Sequence, residues 1–374
     1  MIMAAALALP GAIAAAQTFN AANECDTPPH AAPDRRQLVS FQLENDLFAG
    51  TDAQYTNGVK LTWVSPDIFS DFNDPLLPVW VRCSTERVRH VLEWFLPPTA
   101  SARNVVVTLG QAMFTPSDRA LTTQDPKDRP YAGWGYLGLG YNVRFDPQPS
   151  ADGTRDGTAE LTTVEINVGV VGPHAYAKQT QDFVHRVRGY ERFQGWNNQL
   201  GDELGLQIVR EKKFRPPSWP REGALQAQVI PHYGFSLGNI ATYLNAGAEI
   251  RAGWRLPDDF GTSLIRPGGD NAAPRTESSS TRVYAQHSFH LFVSLDGRAV
   301  ANNIFLDGNT FRRSHAVRKR LLVGDIAYGW AYTWPQIGFV PSGKLAYAHY
   351  VQSREFEGEE RNHGFGSVTL SVEF

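Results

Sequence analysis

The sequence predicts a closed, membrane-spanning antiparallel β-barrel of about twelve strands, all-β apart from one helical loop. Three observations predict it. After residue 16 no run of ~20 apolar residues occurs, so no transmembrane helix is expected. The remainder is rich in Gly (33 of 374 residues) and aromatics (11%), arranged in short alternating segments. The last eight residues, Ser367 to Phe374, read SVTLSVEF and place Val368, Leu370, Val372 and Phe374 on one face. Without helices, only a closed barrel pairs every backbone N–H and C=O inside a bilayer.

Residues 1–16, MIMAAALALPGAIAAA, are apolar, uncharged and end in small residues, as a secretory signal peptide does, although the basic n-region is missing. Residues 17–37 are a polar tail expected in the periplasm, and 38–374 are assigned to the barrel. Cys25 and Cys83 both fall on the periplasmic side in this scheme, where oxidising conditions permit a disulfide. With 35 basic and 38 acidic residues there is no dominant positive face, which argues against a nucleic-acid partner.

Alternation and turn residues place the strands in order. The first two are expected near 38–48 and 55–65, followed by a long Pro-containing turn at 66–101. Strands three to five fall near 104–114, 131–145 and 159–170. Residues 173–203 break the alternation, and the run from Gln179 to Arg188 predicts a helix there. Strands six to eight follow near 204–212, 224–235 and 241–254, then a Gly/Pro/Ser-rich turn at 255–280. The last four are expected near 282–294, 319–332, 343–351 and 365–374. An even count puts both ends of the barrel chain in the periplasm. Loops 49–54, 115–130, 171–203, 236–240, 295–318 and 352–364 are then extracellular.

This topology gathers polar side chains at one rim. Asn45 and Asp46 end strand one, Thr56 begins strand two, and the predicted helix carries Gln181 and His185 on one face, with Glu191 following. A His, carboxylates and amides together suit water activation beside a cation. Taken singly, each has a plain structural reading: strand terminator, surface charge or solvated loop histidine. Tyr190, Phe193 and Trp196 suit either an acyl–headgroup boundary or packing of the loop on the barrel. No Walker loop occurs in residues 17–374.

Several motifs occur in order: END at 44–46, YTNG at 55–58, FTPSD at 114–118, DRPYAGW at 128–134, and GP-x7-Q-x3-H at 172–185 with GW at 195–196. On these the chain resembles the outer-membrane lipid A 3′-O-deacylases, across nearly all of 39–374. The resemblance implies a twelve-stranded barrel that hydrolyses the 3′-linked acyloxyacyl ester of lipid A in the outer leaflet. It implies that Asn45, Asp46, Thr56, Gln181, His185 and Glu191 are site residues, with His185 activating water. A divalent cation, Ca²⁺, would stabilise the oxyanion, with Asp46 and Glu191 as candidate ligands. The family's functional Lys has no clean counterpart; Arg119 and Lys127 are the basic candidates for substrate contact. Lipopolysaccharide, outer-membrane lipids and, through the C-terminal strand, the barrel assembly machinery are the implied partners. Two other readings stand beside this one: a non-enzymatic channel or adhesive barrel, and a phospholipase-type esterase.

Overall fold

The computed structural model describes residues 37–46, 54–69, 71–147, 157–221, 223–262, 274 and 284–374. The predicted signal segment, the tail up to residue 36 and Cys25 lie outside the described residues. Twelve antiparallel strands close into a barrel in which each pairs with its sequence neighbours and β1 pairs with β12. They are β1 (Leu38–Asn45), β2 (Gln54–Val64), β3 (Ala102–Thr115), β4 (Ala132–Phe145), β5 (Ala159–Val171), β6 (Glu203–Arg215), β7 (Leu225–Gly238), β8 (Ala241–Trp254), β9 (Ser288–Asn303), β10 (Leu322–Trp334), β11 (Gly343–Gln352) and β12 (His363–Glu373). Three helices join them: α1 (Val79–Phe95), α2 (Ala177–Arg188) and the single-turn α3 (Ile304–Asp307).

The period of two sorts side chains between lumen and outer wall. On β1, Ser40, Gln42 and Glu44 are buried inward, while Phe41 faces out opposite Leu61 of β2 and Leu370 of β12. Closure is sealed at one rim by paired backbone bonds between Gln37 and Phe374 at 2.9 and 3.0 Å. That rim is called the terminal end below, and the opposite rim the loop end.

Near the terminal end the turn after β8 is tied to inward-facing side chains of the wall. Asp258 pairs with Arg144 at 3.1 Å and with Arg215, and Asp259 pairs with Arg251 and with Lys344 at 2.8 Å. Phe260 is buried beneath the guanidinium groups of Arg144 and Arg215. These charges sit in paired, hydrogen-bonded positions, as buried ions must.

Two expectations need correction. The segment 66–101 is not a plain turn, because α1 occupies its centre. Val81 and Leu92 bury one face of it, with Leu77 just before it, against Val105, Tyr141 and Val164 on the outer wall. The expected loop at 295–318 begins too early, because β9 runs on to Asn303. Its continuation carries lumenal ions: Asp296 accepts from His232 at 2.8 Å, and Arg298 pairs with Asp325 at 3.2 Å. Charge inside the barrel broke the apolar alternation that marks a strand.

Candidate functional site

α2 leans on the outer face of β3 and β4 at the loop end. Its buried residues are Ala177, Gln181 and His185, one stripe at a spacing of four. The close approach depends on Gly133 of β4, where a Cβ would lie 2.6 Å from the Ala177 side chain and 3.1 Å from that of Ala175. Gln111 of β3 fixes the preceding 3₁₀ turn by donating to the Ala175 carbonyl at 2.6 Å. Beneath the helix, Met113, Tyr131, Ala177, Phe193 and Trp196 form an apolar cluster. Burial pushes the Tyr131 phenol up to about 12, so it remains neutral there. Phe193 and Trp196 are therefore packing residues, whereas Tyr190 stays exposed.

Two hydrogen bonds orient the polar stripe. His185 is 3% exposed, and its Nδ1 lies 2.5 Å from the main-chain carbonyl of Glu191. A carbonyl only accepts, so Nδ1 carries a proton, and the tautomer this selects has its lone pair on Nε2. The ring is also held edge-on by Tyr190 and Phe193 at 6.0 and 5.8 Å. Gln181 is 3% exposed, and its Oε1 accepts the Trp196 indole N–H at 2.6 Å. An indole N–H only donates, which assigns the amide: Oε1 faces Trp196, and the Nε2 group is buried with no partner among the described residues. A buried amide donor beside a histidine suits a carbonyl oxygen that gains charge.

The reversal after α2 aims the Glu191 carbonyl. Gly189 has φ +72°, the left-handed conformation favoured by glycine, and both Gly189 and Tyr190 donate to the His185 carbonyl. The Glu191 side chain is 83% exposed and lies 3.5 Å from Arg119 Nε. Arg119 is thus on the α2 side of the rim, where its own carbonyl accepts from the Gln194 amide at 2.9 Å. Lys127 is exposed, and its backbone packs against Gly358 in the loop between β11 and β12.

Asn45 ends β1 on its outward face, paired in register with Asn57 of β2 and Gly366 of β12. Asn57 is in turn level with Met113 of β3, a member of the cluster under α2. This register runs from Asn45 across the outer wall to the base of α2. Asp46 follows and is 1% exposed. Thr56 lies in β2 at a bulge, between Tyr55 and Asn57. The structure therefore brings His185, Gln181, Arg119 and the Glu191 backbone together, and places Asn45 and Asp46 on the same rim two strands away. Among the described residues no three His, Cys, Asp or Glu side chains gather to hold a metal. The oxygens of Asp46 and Asn45 still suit a hard cation, which takes much of its shell from amides, carbonyls and water.

Trp196 was not among the site residues expected from sequence. Its role is set by a hydrogen bond across fifteen residues, which no motif spacing announces.

The motifs also brace one another. Asp128 accepts from the Ser117 amide at 2.7 Å, and buried Arg129 pairs with Glu355 at 2.6 Å. The sequence model of the family described as "Outer membrane protein LpxR" matches residues 1–374. The structure is similar to LpxR from Salmonella typhimurium, with 15% identity, 90% of this chain and 99% of that chain covered, and a TM-score of 0.64. A weaker likeness is to the β domain of the Bordetella autotransporter BrkA, with 8% identity, 91% and 99% covered, and a TM-score of 0.44. No curated protein matches. With a family match along its whole length and the same barrel, this chain belongs to the LpxR family of outer membrane proteins.

Proposed function

We propose that this protein hydrolyses the 3′-linked acyloxyacyl ester of lipid A, from the extracellular side of the outer membrane. The observation that carries the reading is the orientation of His185, whose Nδ1 is fixed on the Glu191 carbonyl at 2.5 Å. That leaves Nε2 as the base on the α2 stripe, beside the donor Nε2 of Gln181. His185 takes a proton from water as the water oxygen attacks the ester carbonyl carbon. The Gln181 amide donates to the oxygen that becomes negative. When the tetrahedral intermediate collapses, the sugar alkoxide leaves and takes the proton back from His185, giving a free fatty acid and a hydroxyl. Asp46, with Asn45, would hold Ca²⁺, which when bound supplies positive charge near the developing oxyanion. Arg119, beside α2, is the basic group better placed than Lys127 for an anionic headgroup.

The test is incubation of the purified, folded barrel with lipid A, in Ca²⁺ or in EDTA, with products weighed by mass spectrometry. The expected result is loss of one acyloxyacyl group in Ca²⁺, suppressed by EDTA and abolished in His185→Ala. An unchanged lipid A mass under both conditions overturns the reading. Release of fatty acid from glycerophospholipid alone would identify a phospholipase instead.

A further inference from the structure

α1 lies flat across the outside of the barrel. Its buried face covers Val105 of β3, Tyr141 of β4, Val164 of β5 and, partly, Ile208 of β6. Thr85 donates to the Tyr141 hydroxyl at 3.2 Å. At the far end Phe95 meets Phe235 of β7 at 5.7 Å, and its carbonyl accepts from Arg210 Nε of β6 at 3.0 Å. A helix of 17 residues, about 25 Å long, spans five strands spaced about 4.8 Å apart.

The opposite face of α1 is charged. Glu86, Arg87, Arg89, His90 and Glu93 are exposed, and Arg89 pairs with Glu86 at 3.5 Å and Glu93 at 2.9 Å. Among them stand Val91 and Trp94, the latter 86% exposed. Such a row is too costly to sit in hydrocarbon, whereas a tryptophan among charges suits the headgroup layer. The wall near α1 agrees. Outward-facing Glu160 of β5 pairs with Lys212 of β6 at 2.7 Å, where a lipid-facing strand would carry apolar residues.

These positions fix how much apolar wall remains beside the candidate site. On β3 only Val107 and Leu109 face outward between Val105, under α1, and Gln111, under α2. On β4 the same interval holds exposed Leu137, with Leu139 packed partly against the α1 cluster. The uncovered stretch is thus a few residues, on the order of 10–15 Å along a strand. On β9 the outward series from Phe289 through Leu291, Val293, Leu295 and Gly297 to Ala299 is uncharged and exposed, about 33 Å at the strand rise.

We propose that the outer face of α1 is a docking surface for the phospholipid headgroups of the leaflet at the terminal end. That leaflet climbs the wall to α1, so the hydrocarbon is thinned on the side of the barrel that carries α2. The proposal rests on the barrel lying in a membrane and is independent of the ester chemistry.

The test uses full-length protein with Cys25→Ser and Cys83→Ser, carrying nitroxides at Val91→Cys on α1, Leu137→Cys between the helices, or Leu291→Cys on β9. The barrels are reconstituted in phosphatidylethanolamine–phosphatidylglycerol vesicles, and folding is checked by heat-modifiable gel migration. Relaxation is measured with oxygen, with a soluble nickel chelate and with nickel-bearing lipid headgroups. Leu137 and Leu291 should respond to oxygen several-fold more than to soluble nickel. Val91 should show the reverse and should be relaxed strongly by the nickel lipid. Glu86→Cys presents the same face and serves if Val91→Cys does not fold. A Val91 label as oxygen-rich as Leu291, or one relaxed by soluble nickel and untouched by the nickel lipid, overturns the proposal.

Discussion

Trp196 donates its indole N–H to the amide oxygen of Gln181 at 2.6 Å, and both residues are buried. The bond settles which end of the amide faces the rest of the site. Without it the amide could rotate and present its oxygen, an acceptor, to a substrate carbonyl that also only accepts. A residue in the apolar packing thereby sets the electrostatics of the polar stripe above it.

Trp196→Phe should therefore lower the rate of lipid A hydrolysis about tenfold, the scale of one lost orienting hydrogen bond. KM should change little, because another aromatic ring fills the place of the indole in the buried cluster under α2. Gln181→Ala removes the donor itself and should cost on the order of 10²-fold in kcat. Steady-state kinetics on both folded variants check this. A Trp196→Phe enzyme with wild-type kcat would detach the indole from catalysis.

Gly189 aims the carbonyl that holds His185, from a left-handed backbone at φ +72° with open space where a Cβ would stand. Gly189→Val strains that conformation by about 1–2 kcal/mol and should displace Glu191, reducing kcat several-fold or more. Gly189→Asn, which tolerates the conformation better, should recover most of the activity. Equal losses in both variants would point to crowding at the helix end.

The loop end has a titratable clasp. Burial acts to raise the Glu355 carboxyl, but the charges of Arg129, His363 and Arg298 outweigh it and hold the group below its ordinary value. A depressed carboxylate contributes stability that is complete above its unfolded pKa of about 4.3 and is lost as pH falls through the lower folded value. Loop proteolysis should therefore stay slow down to about pH 4 and accelerate below it. Glu355→Gln leaves Arg129 buried without its counter-ion and should destabilise the loop by about 3–5 kcal/mol, raising proteolysis already at neutral pH.

Much of this was legible in the sequence, and the exceptions have physical causes. Strands with one apolar face, such as β12, announce themselves by alternation; the second half of β9, from Leu295 to Asn303, did not, because Asp296 and Arg298 serve the lumen. The Gln181–His185 stripe was readable from its spacing of four. α1 was hidden by the prolines that flank it and by a polar outer face, which make 66–101 look like an ordinary turn. The contacts of Trp196 and of the Glu191 carbonyl arise when the chain reverses after α2, and a backbone atom carries no side-chain signature.

The ion-paired turn after β8 sets a last expectation, which separates an enzyme from a channel. Asp258 and Asp259 reach four cations from four different strands: Arg144 of β4, Arg215 of β6, Arg251 of β8 and Lys344 of β11. A passing ion would have to displace a carboxylate from these partners, and loss of Asp259 would take a counter-ion from buried Arg251 and Lys344. The wild-type barrel should therefore be electrically silent in a planar bilayer at moderate voltage. Substituting Asp258→Ala with Asp259→Ala should free the turn and produce flickering conductance, while lipid A hydrolysis on the outer wall persists. Steady conductance in the wild type, with no ester cleavage, would favour the channel reading. Silence with cleavage would assign the lumen a structural role and leave the chemistry to the α2 stripe on the outer wall.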